Sequence, residues 1–490
     1  MKGTILLFAL LLNISLAFTQ ECNCEKSFDW MVTTFQSNDA GFQYIVDKRG
    51  SDDFERFHNQ QKSKAQIAST DAECHKVMLD WLHYFRLRHI GIDLKTTNTP
   101  KQQSNEKKPD DQIREQFKKE PTVNLTETKL IALLEKKKDP DPIEGVWSYG
   151  KWRYGIIANG KTNNSFTAFI LKGDSVYWMP GQIRAQFTAG NEAYITDYTR
   201  GDRIKENYKS VFINSNKTVL NIGDYFWVRR YPHNSSLLYD SLYTNFFRPN
   251  YPPYLQKLNN KTLYVRIPSF DLSHRKWIEE LFSKNDSLIK STNNLIIDIR
   301  YGTGGSDRSY RPIIPYLYTN PIRKLGVDIY STELNIKFYE DYLKIVKDSS
   351  TLIFFNNLIT KLKAHPGKFV PFFEENFEID SLPEVFPFPE KVAIICNHHN
   401  GSADEQFLIT VRQSQKVKIF GRPTGGALDI SNMNEVESPD GKYVLRYGVS
   451  KSNRAPVYCI DDVGIQPDYF LDDSLPEGDW IEYVQKILEY

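Results

Sequence analysis

The segment Gly401-Ser402-Ala403-Asp404-Glu405 carries the residue types best suited to covalent chemistry in this chain. It follows the apolar run Lys391–Cys396 and the residues Asn397 to Gly401, and it leads into a helix running towards Arg412. Ser402 therefore stands at a strand–turn–helix junction, where a hydroxyl is exposed. The first N–H groups of a helix have no intrahelical acceptor, so they can receive a developing oxyanion. The N–H of Ala403 would be one such donor. The same residues also spell a capping box, with Ser402 as N-cap and Glu405 three residues on, and this motif alone leaves both readings open. A second oxyanion donor can come from Gly302-Thr303-Gly304-Gly305, with Gly304 and Gly305 as the candidates, because glycine lets a backbone pass close to a ligand. That loop has no Gly-Lys-Ser/Thr ending, so it does not read as a phosphate loop.

These loops need a rigid frame, and the last 240 or so residues supply its pattern. Leu295–Ile299, Lys391–Cys396 and Val417–Phe420 are short, nearly all-apolar runs, each closing on a loop, with helical stretches between them. That pattern predicts an α/β core of buried strands, whose loops at the strand C-termini gather the active site. Upstream, residues 25–95 read as helical. Val77, Met78, Trp81, Leu82 and Phe85 recur at steps of three and four and draw one buried stripe. Between Ile143 and about Tyr231 the runs Trp152–Ala158, Phe166–Leu171, Ser175–Met179 and Ala193–Tyr198 alternate with Gly, Asn and Asp turns, the texture of an antiparallel β domain or small barrel. Trp147, Trp152, Trp178 and Trp227 are expected to pack its core. The expected domains are a signal peptide at 1–17, an N-terminal helical region at 18–100, a charged linker at 101–142, an antiparallel β domain at 143–240 and the α/β core at 250–490.

Several motifs in register extend this reading. Thr262–Phe270, then Asp298-Ile299-Arg300 with its Gly-rich loop, then Gly401–Glu405, Gly421–Gly425 and Gly464-Ile465-Gln466-Pro467-Asp468 resemble the signatures of the tail-specific, tricorn-like serine peptidases, in the same order. The order and the N-terminal cysteines resemble exported Bacteroidetes-type members. The resemblance implies a ClpP/crotonase-like catalytic core, endopeptidase activity on polypeptides, Ser402 as nucleophile, and no metal or organic cofactor. The tail-specific branch places a Lys after its Thr-x-Gly turn, whereas this chain has Ala427 there. The tricorn-like branch uses an N-terminal His just after a helix, and Phe85–Ile92 resembles that segment with His89 in place. His83, inside the preceding helix, is the weaker choice. The third member of the triad matches Asp461, with Asp462 as the adjacent fallback. The chain departs from the family pattern at Arg88 and Gly302 and has no Gly-rich carboxylate-binding loop, so recognition of a substrate C-terminus is not implied. The alternative is a catalytically inactive lipid- or glycan-binding protein on the same scaffold, with Ser402 only a helix cap.

Composition sets the outer limits. The 490 residues are 40% hydrophobic and 25% charged with net charge +1, so no global field recruits nucleic acid or an anionic membrane. Lys2, the apolar run Ile5–Leu16 and Ser15-Leu16-Ala17 read as a cleaved export signal too short to insert stably in a bilayer, which places the mature chain in the periplasm, cell envelope or outside the cell. In such a compartment a bridge from Cys24 or Cys22 to Cys74 is expected, with Cys396 a buried thiol. Cys22-Asn23-Cys24 lacks a partner pair at metal-site spacing, so no metal centre is expected.

Overall fold

The computed structural model describes residues 23–95, 110–160, 164–190, 193–201, 203–233, 242–243, 246 and 251–490. The expected signal peptide and Cys22 lie outside the described residues. The chain divides into two compact units, residues 1–98 with 433–448, and residues 99–432 with 449–490.

Among the described residues the first unit holds the helices α1 (Cys24–Asn38), α2 (Phe42–Arg49), α3 (Ser51–Ile67) and α4 (Asp71–Leu82). Thr70 and Glu73 close a reciprocal capping box at the start of α4, satisfying amides that the first turn leaves free. The Val77–Phe85 stripe is buried as its spacing predicts, and Trp81 meets Phe28 and Phe35 edge-on. A disulfide joins Cys24 to Cys74, tying α1 to α4. One stretch departs from the helical expectation. Gly91–Leu94 forms strand β1, antiparallel to residues 443–446, a partner so distant in sequence that no local pattern reveals it.

In the second unit the strands β2 (Gly145–Tyr149), β3 (Trp152–Ala158), β4 (Ser165–Lys172), β5 (Ile183–Ala189), β6 (Tyr194–Thr199), β7 (Lys205–Ile213), β8 (Val219–Ile222) and β9 (Tyr225–Tyr231) close into a barrel. Each pairs antiparallel with the next, and β9 returns to β2. Its interior is packed: Trp147, Trp178 and Trp227 are buried, and Tyr154 stacks on Trp227 at 3.9 Å. Ser175–Met179 is a turn rather than a strand, because the Asp174 carboxylate accepts from the amides of Val176, Tyr177 and Trp178.

The core sheet contains β10 (Tyr254–Lys257), β11 (Thr262–Arg266) and β12 (Asn294–Asp298). After the smaller strands β13 (Ile322–Leu325), β14 (Val327–Tyr330), β15 (Phe369–Pro371) and β16 (Phe377–Asp380), it resumes with β17 (Lys391–Cys396) and β18 (Val417–Gly421). The order is β10-β11-β12-β17-β18, ending on Tyr469–Phe470, with β10 antiparallel and the rest parallel. Alternate side chains serve opposite faces. Leu295, Ile297, Val392 and Ile394 pack with Ile278, Phe407 and Leu408, whereas Ile296, Ala393 and Ile395 pack with Trp480, Ile481 and Val484. Burial on both faces explains why these strands read as unbroken apolar runs. Because β12, β17 and β18 are parallel neighbours, their following loops emerge side by side.

Candidate active site

Ser402 begins the helix Ala403–Val411 with φ 58° and ψ −121°. A helix N-cap normally has extended backbone with negative φ, so this conformation is not that of an ordinary cap. A non-glycine residue held there carries strain that its surroundings must offset, as at nucleophile turns between strand and helix.

The surroundings do so through two buried carboxyls. Glu405 is fully buried and accepts from Ser402 N at 3.2 Å, Thr424 Oγ1 at 2.5 Å, Gly426 N at 2.8 Å and Ala427 N at 2.8 Å. It thus fastens the Ser402 turn to the loop after β18. The Ser402 N–H also donates to the Ala427 carbonyl at 3.0 Å, and Thr424 Oγ1 accepts from Ile465 N, which brings in the Gly464–Asp468 turn. Burial pushes the Glu405 carboxyl up, against hydrogen bonds that hold it down. Asp404 faces the other way. Its Oδ2 accepts from Asn400 Nδ2 at 2.8 Å and from Gly304 N at 3.2 Å, and burial pushes its pKa up to about 7. Asn400 completes the clasp by donating to Ile299 O, and it is fully buried, so the sequon Asn400-Gly401-Ser402 is closed to glycosylation once the chain folds.

The Gly-rich loop lies directly against the serine. A Cβ on Gly304, where φ is 90°, would sit 2.7 Å from Ser402 Cβ, and one on Gly305, where φ is 140°, would collide with the Phe270 backbone at 2.2 Å. Both positions therefore require glycine. Gly305, Ser402 and Ala403 line one cavity of 390 Å³, together with Asp307, Lys324, Leu428 and Arg454. Of the three expected oxyanion donors, Gly305 and Ala403 border this cavity, while the N–H of Gly304 is directed at Asp404.

Residues 261–471 match the family model described as peptidase family S41. Over that region the chain is similar to peptidase family S41. That match supports a serine-type peptidase. No curated protein matches it. Among solved structures, mature CPAF complexed with lactacystin is 12% identical at a TM-score of 0.52, over 95% of this chain and 97% of that one, which shows a shared fold. The photosystem II D1 C-terminal processing protease (12% identical, 95% of this chain and 97% of that one, TM-score 0.38) and the tricorn protease (11% identical, 95% and 36%, TM-score 0.40) are further matches.

The peptidase holds its other expected site residues as follows. Asp461 accepts from the amides of Leu428 and Asp429 at 2.7 Å each and of Ile430 at 3.1 Å. Burial and the neighbouring Asp429 carboxylate raise its pKa to about 6. Asp429 reciprocates, accepting from Ile460 N and Asp461 N, so the two acids lock residues 428–430 to 460–461. Asp462 is exposed with φ 62°. In the first unit, His89 is half-buried with φ 52° just ahead of β1. Its carbonyl accepts from Arg86 Nε at 3.2 Å and Nη2 at 2.8 Å, and Arg86 in turn forms a buried ion pair with Asp39. Arg86, Asp39, Asn400 and Thr424 are positioning residues that motif spacing did not single out. Among the described residues no His/Cys/Asp/Glu cluster could hold a metal ion, and no helix is long and apolar enough to cross a membrane.

Proposed function

We propose that the peptidase is an exported endopeptidase that cleaves polypeptides through an acyl-enzyme on Ser402, with His89 as general base and Asp461 as the third triad member, on a ClpP/crotonase-like core. The single observation that carries the proposal is the left-handed backbone of Ser402, locked by Glu405 and pressed against the Gly304–Gly305 loop at the edge of a cavity. In this reading Ser402 Oγ attacks the scissile carbonyl carbon as His89 takes its proton. The oxyanion collects the N–H groups of Ala403 and Gly305, with Gly304 as a third donor once it leaves Asp404. Collapse expels the amine with the proton from His89, and water then attacks the acyl-enzyme by the same route. His89 is supported by its place in the sequence frame, by the buried Arg86–Asp39 pair that fixes its backbone, and by Ala427 standing where relatives use Lys.

Export, to the periplasm, cell envelope or medium, is supported by the apolar N-terminal segment and by the Cys24–Cys74 disulfide, a bond characteristic of oxidising compartments. The packed barrel interior favours the peptidase over the lipid- or glycan-binding alternative, since stacked Tyr154 and Trp227 fill the space a carrier would keep open. Hydrolysis of casein by the mature protein is the test. Ser402→Ala should reduce it by several powers of ten, and turnover retained in that variant would end the assignment.

A further inference from the structure

A hollow of 600 Å³ adjoins the Ser402 cavity and shares Phe372, Phe373 and Glu378 with it. Phe354, from the helix Ser349–Ala364, forms part of its wall. The ring centroids of Phe354 and Phe372 are 5.1 Å apart, and those of Phe372 and Phe373 are 5.0 Å apart. Phe377 on β16 adds a fourth ring. All four are only half-buried, whereas core phenylalanines such as Phe282 and Phe407 are covered almost completely. Half-covered aromatic side chains gathered in one depression mark a contact surface rather than a core. Three carboxylates, Glu374, Glu375 and Glu378, are exposed on the rim; Lys361 pairs with Glu374 at 4.0 Å, and the Arg323 guanidinium lies 4.4 Å over the Phe377 ring.

The hollow and the Ser402 cavity are joined through one strand pair. In the β13–β16 register Lys324, which lines the Ser402 cavity, stands opposite Glu378, which borders both spaces. A chain with its scissile bond at Ser402 must leave the cavity by some wall, and the Phe372–Phe373 wall is shared with a second, partly apolar space. Resting on the peptidase reading above, we propose that this hollow is a substrate subsite. It takes an aromatic or large aliphatic side chain, flanked by Lys or Arg, from the same polypeptide that is cut at Ser402. The rings supply apolar burial, and the three carboxylates select the basic neighbours and repel acidic ones.

Two fluorogenic peptides of equal length and identical sequence around the cleaved bond test this. One carries Phe between lysines at a remote position, the other Gly between glutamates. The wild type should favour the first in kcat/KM by about tenfold, the scale of discrimination by one apolar pocket. The doubly substituted Glu374→Lys/Glu375→Lys protein, altered only at exposed positions, should reduce that ratio by about fivefold, as expected for surface charge pairs. Phe354→Ala should reduce it similarly with an unchanged melting temperature. The same peptides are titrated by fluorescence anisotropy onto the Ser402→Ala protein. Discrimination there, with neither peptide cut by wild type, overturns the peptidase reading and leaves the subsite standing. A ratio near one in both measurements, or one unmoved by the charge reversal, overturns the subsite. Concentration-dependent self-association abolished by the charge reversal assigns the hollow to a second copy and equally overturns it.

Discussion

The backbone N–H of Gly304 donates to the Asp404 carboxyl across 3.2 Å, although Gly304 sits close enough to Ser402 that a side chain there would reach its Cβ at 2.7 Å. A buried acid thus holds the Gly-rich loop beside Ser402, and its protonation state is coupled to the stability of that contact.

Asp404 should give the fold a measurable pH dependence. Its pKa is raised from 3.8 to about 7 in the folded chain, chiefly by burial. Between those values the folded state keeps a proton that the unfolded state releases, so stability is complete below the lower value and falls as pH rises to the upper one. The slope is roughly 1.4 kcal/mol per pH unit for one such group. Asn retains an acceptor oxygen for Gly304 and Asn400 but cannot ionise. Melting temperatures recorded from pH 4 to 8 should therefore decline less for Asp404→Asn than for wild type, and parallel curves would show that Asp404 does not titrate in this window.

Removing the Glu405 carboxylate leaves the amides of Ser402, Gly426 and Ala427 and the Thr424 hydroxyl without that acceptor. Unsatisfied buried donors cost about 1–3 kcal/mol each. Glu405→Ala should lose about 3 kcal/mol or more in urea unfolding and most of the activity, while Glu405→Gln, which keeps one oxygen, should fall between. An unfolding midpoint equal to wild type for Glu405→Ala would show the clasp to be dispensable.

The contrast between these acids and the larger frame shows what the sequence could convey. Strands buried on both faces announce themselves as apolar runs, so Leu295–Ile299, Lys391–Cys396 and Val417–Phe420 and their loops were legible, as were the Val77–Phe85 stripe and the alternating β region. Glu405 was legible only as a local cap, because the partners that give it a larger role lie about 20 residues downstream, on a neighbouring parallel strand's loop. The same limit hid the pairing of β1 with residues 443–446 and the Arg86–Asp39 pair behind His89. Spacing reports what one element does by itself, and these are contacts between elements distant in sequence.

The Cys24–Cys74 bridge closes a loop with a sequence separation of 50. Chain-entropy reasoning assigns such a loop about 4 kcal/mol as an upper guide. Replacing both cysteines by alanine should lower the unfolding midpoint of the helical unit accordingly, and mass spectrometry of non-reduced peptides should recover Cys24 joined to Cys74. Recovery of Cys74 as a free thiol would contradict both the bridge and the export reading that leans on it.

If His89 is the base, the peptidase rate should rise with pH as one imidazole gives up its proton and then level. His89→Gln should nearly abolish turnover with the melting temperature preserved. Asp461→Asn should lower the rate and also the melting temperature, because its carboxylate holds the amides of residues 428–430. A rising limb only above about pH 9 would indicate a lysine base instead.

The central claim is that Ser402 is an activated nucleophile rather than a helix cap, and covalent labelling addresses it most directly. The folded protein is treated with a fluorophosphonate at neutral pH, digested, and its peptides sequenced by mass spectrometry. One adduct is expected, on Ser402, absent from the Ser402→Ala protein and strongly slowed in His89→Gln. Folded protein that stays unlabelled, or that carries its adduct on another residue, would contradict the account.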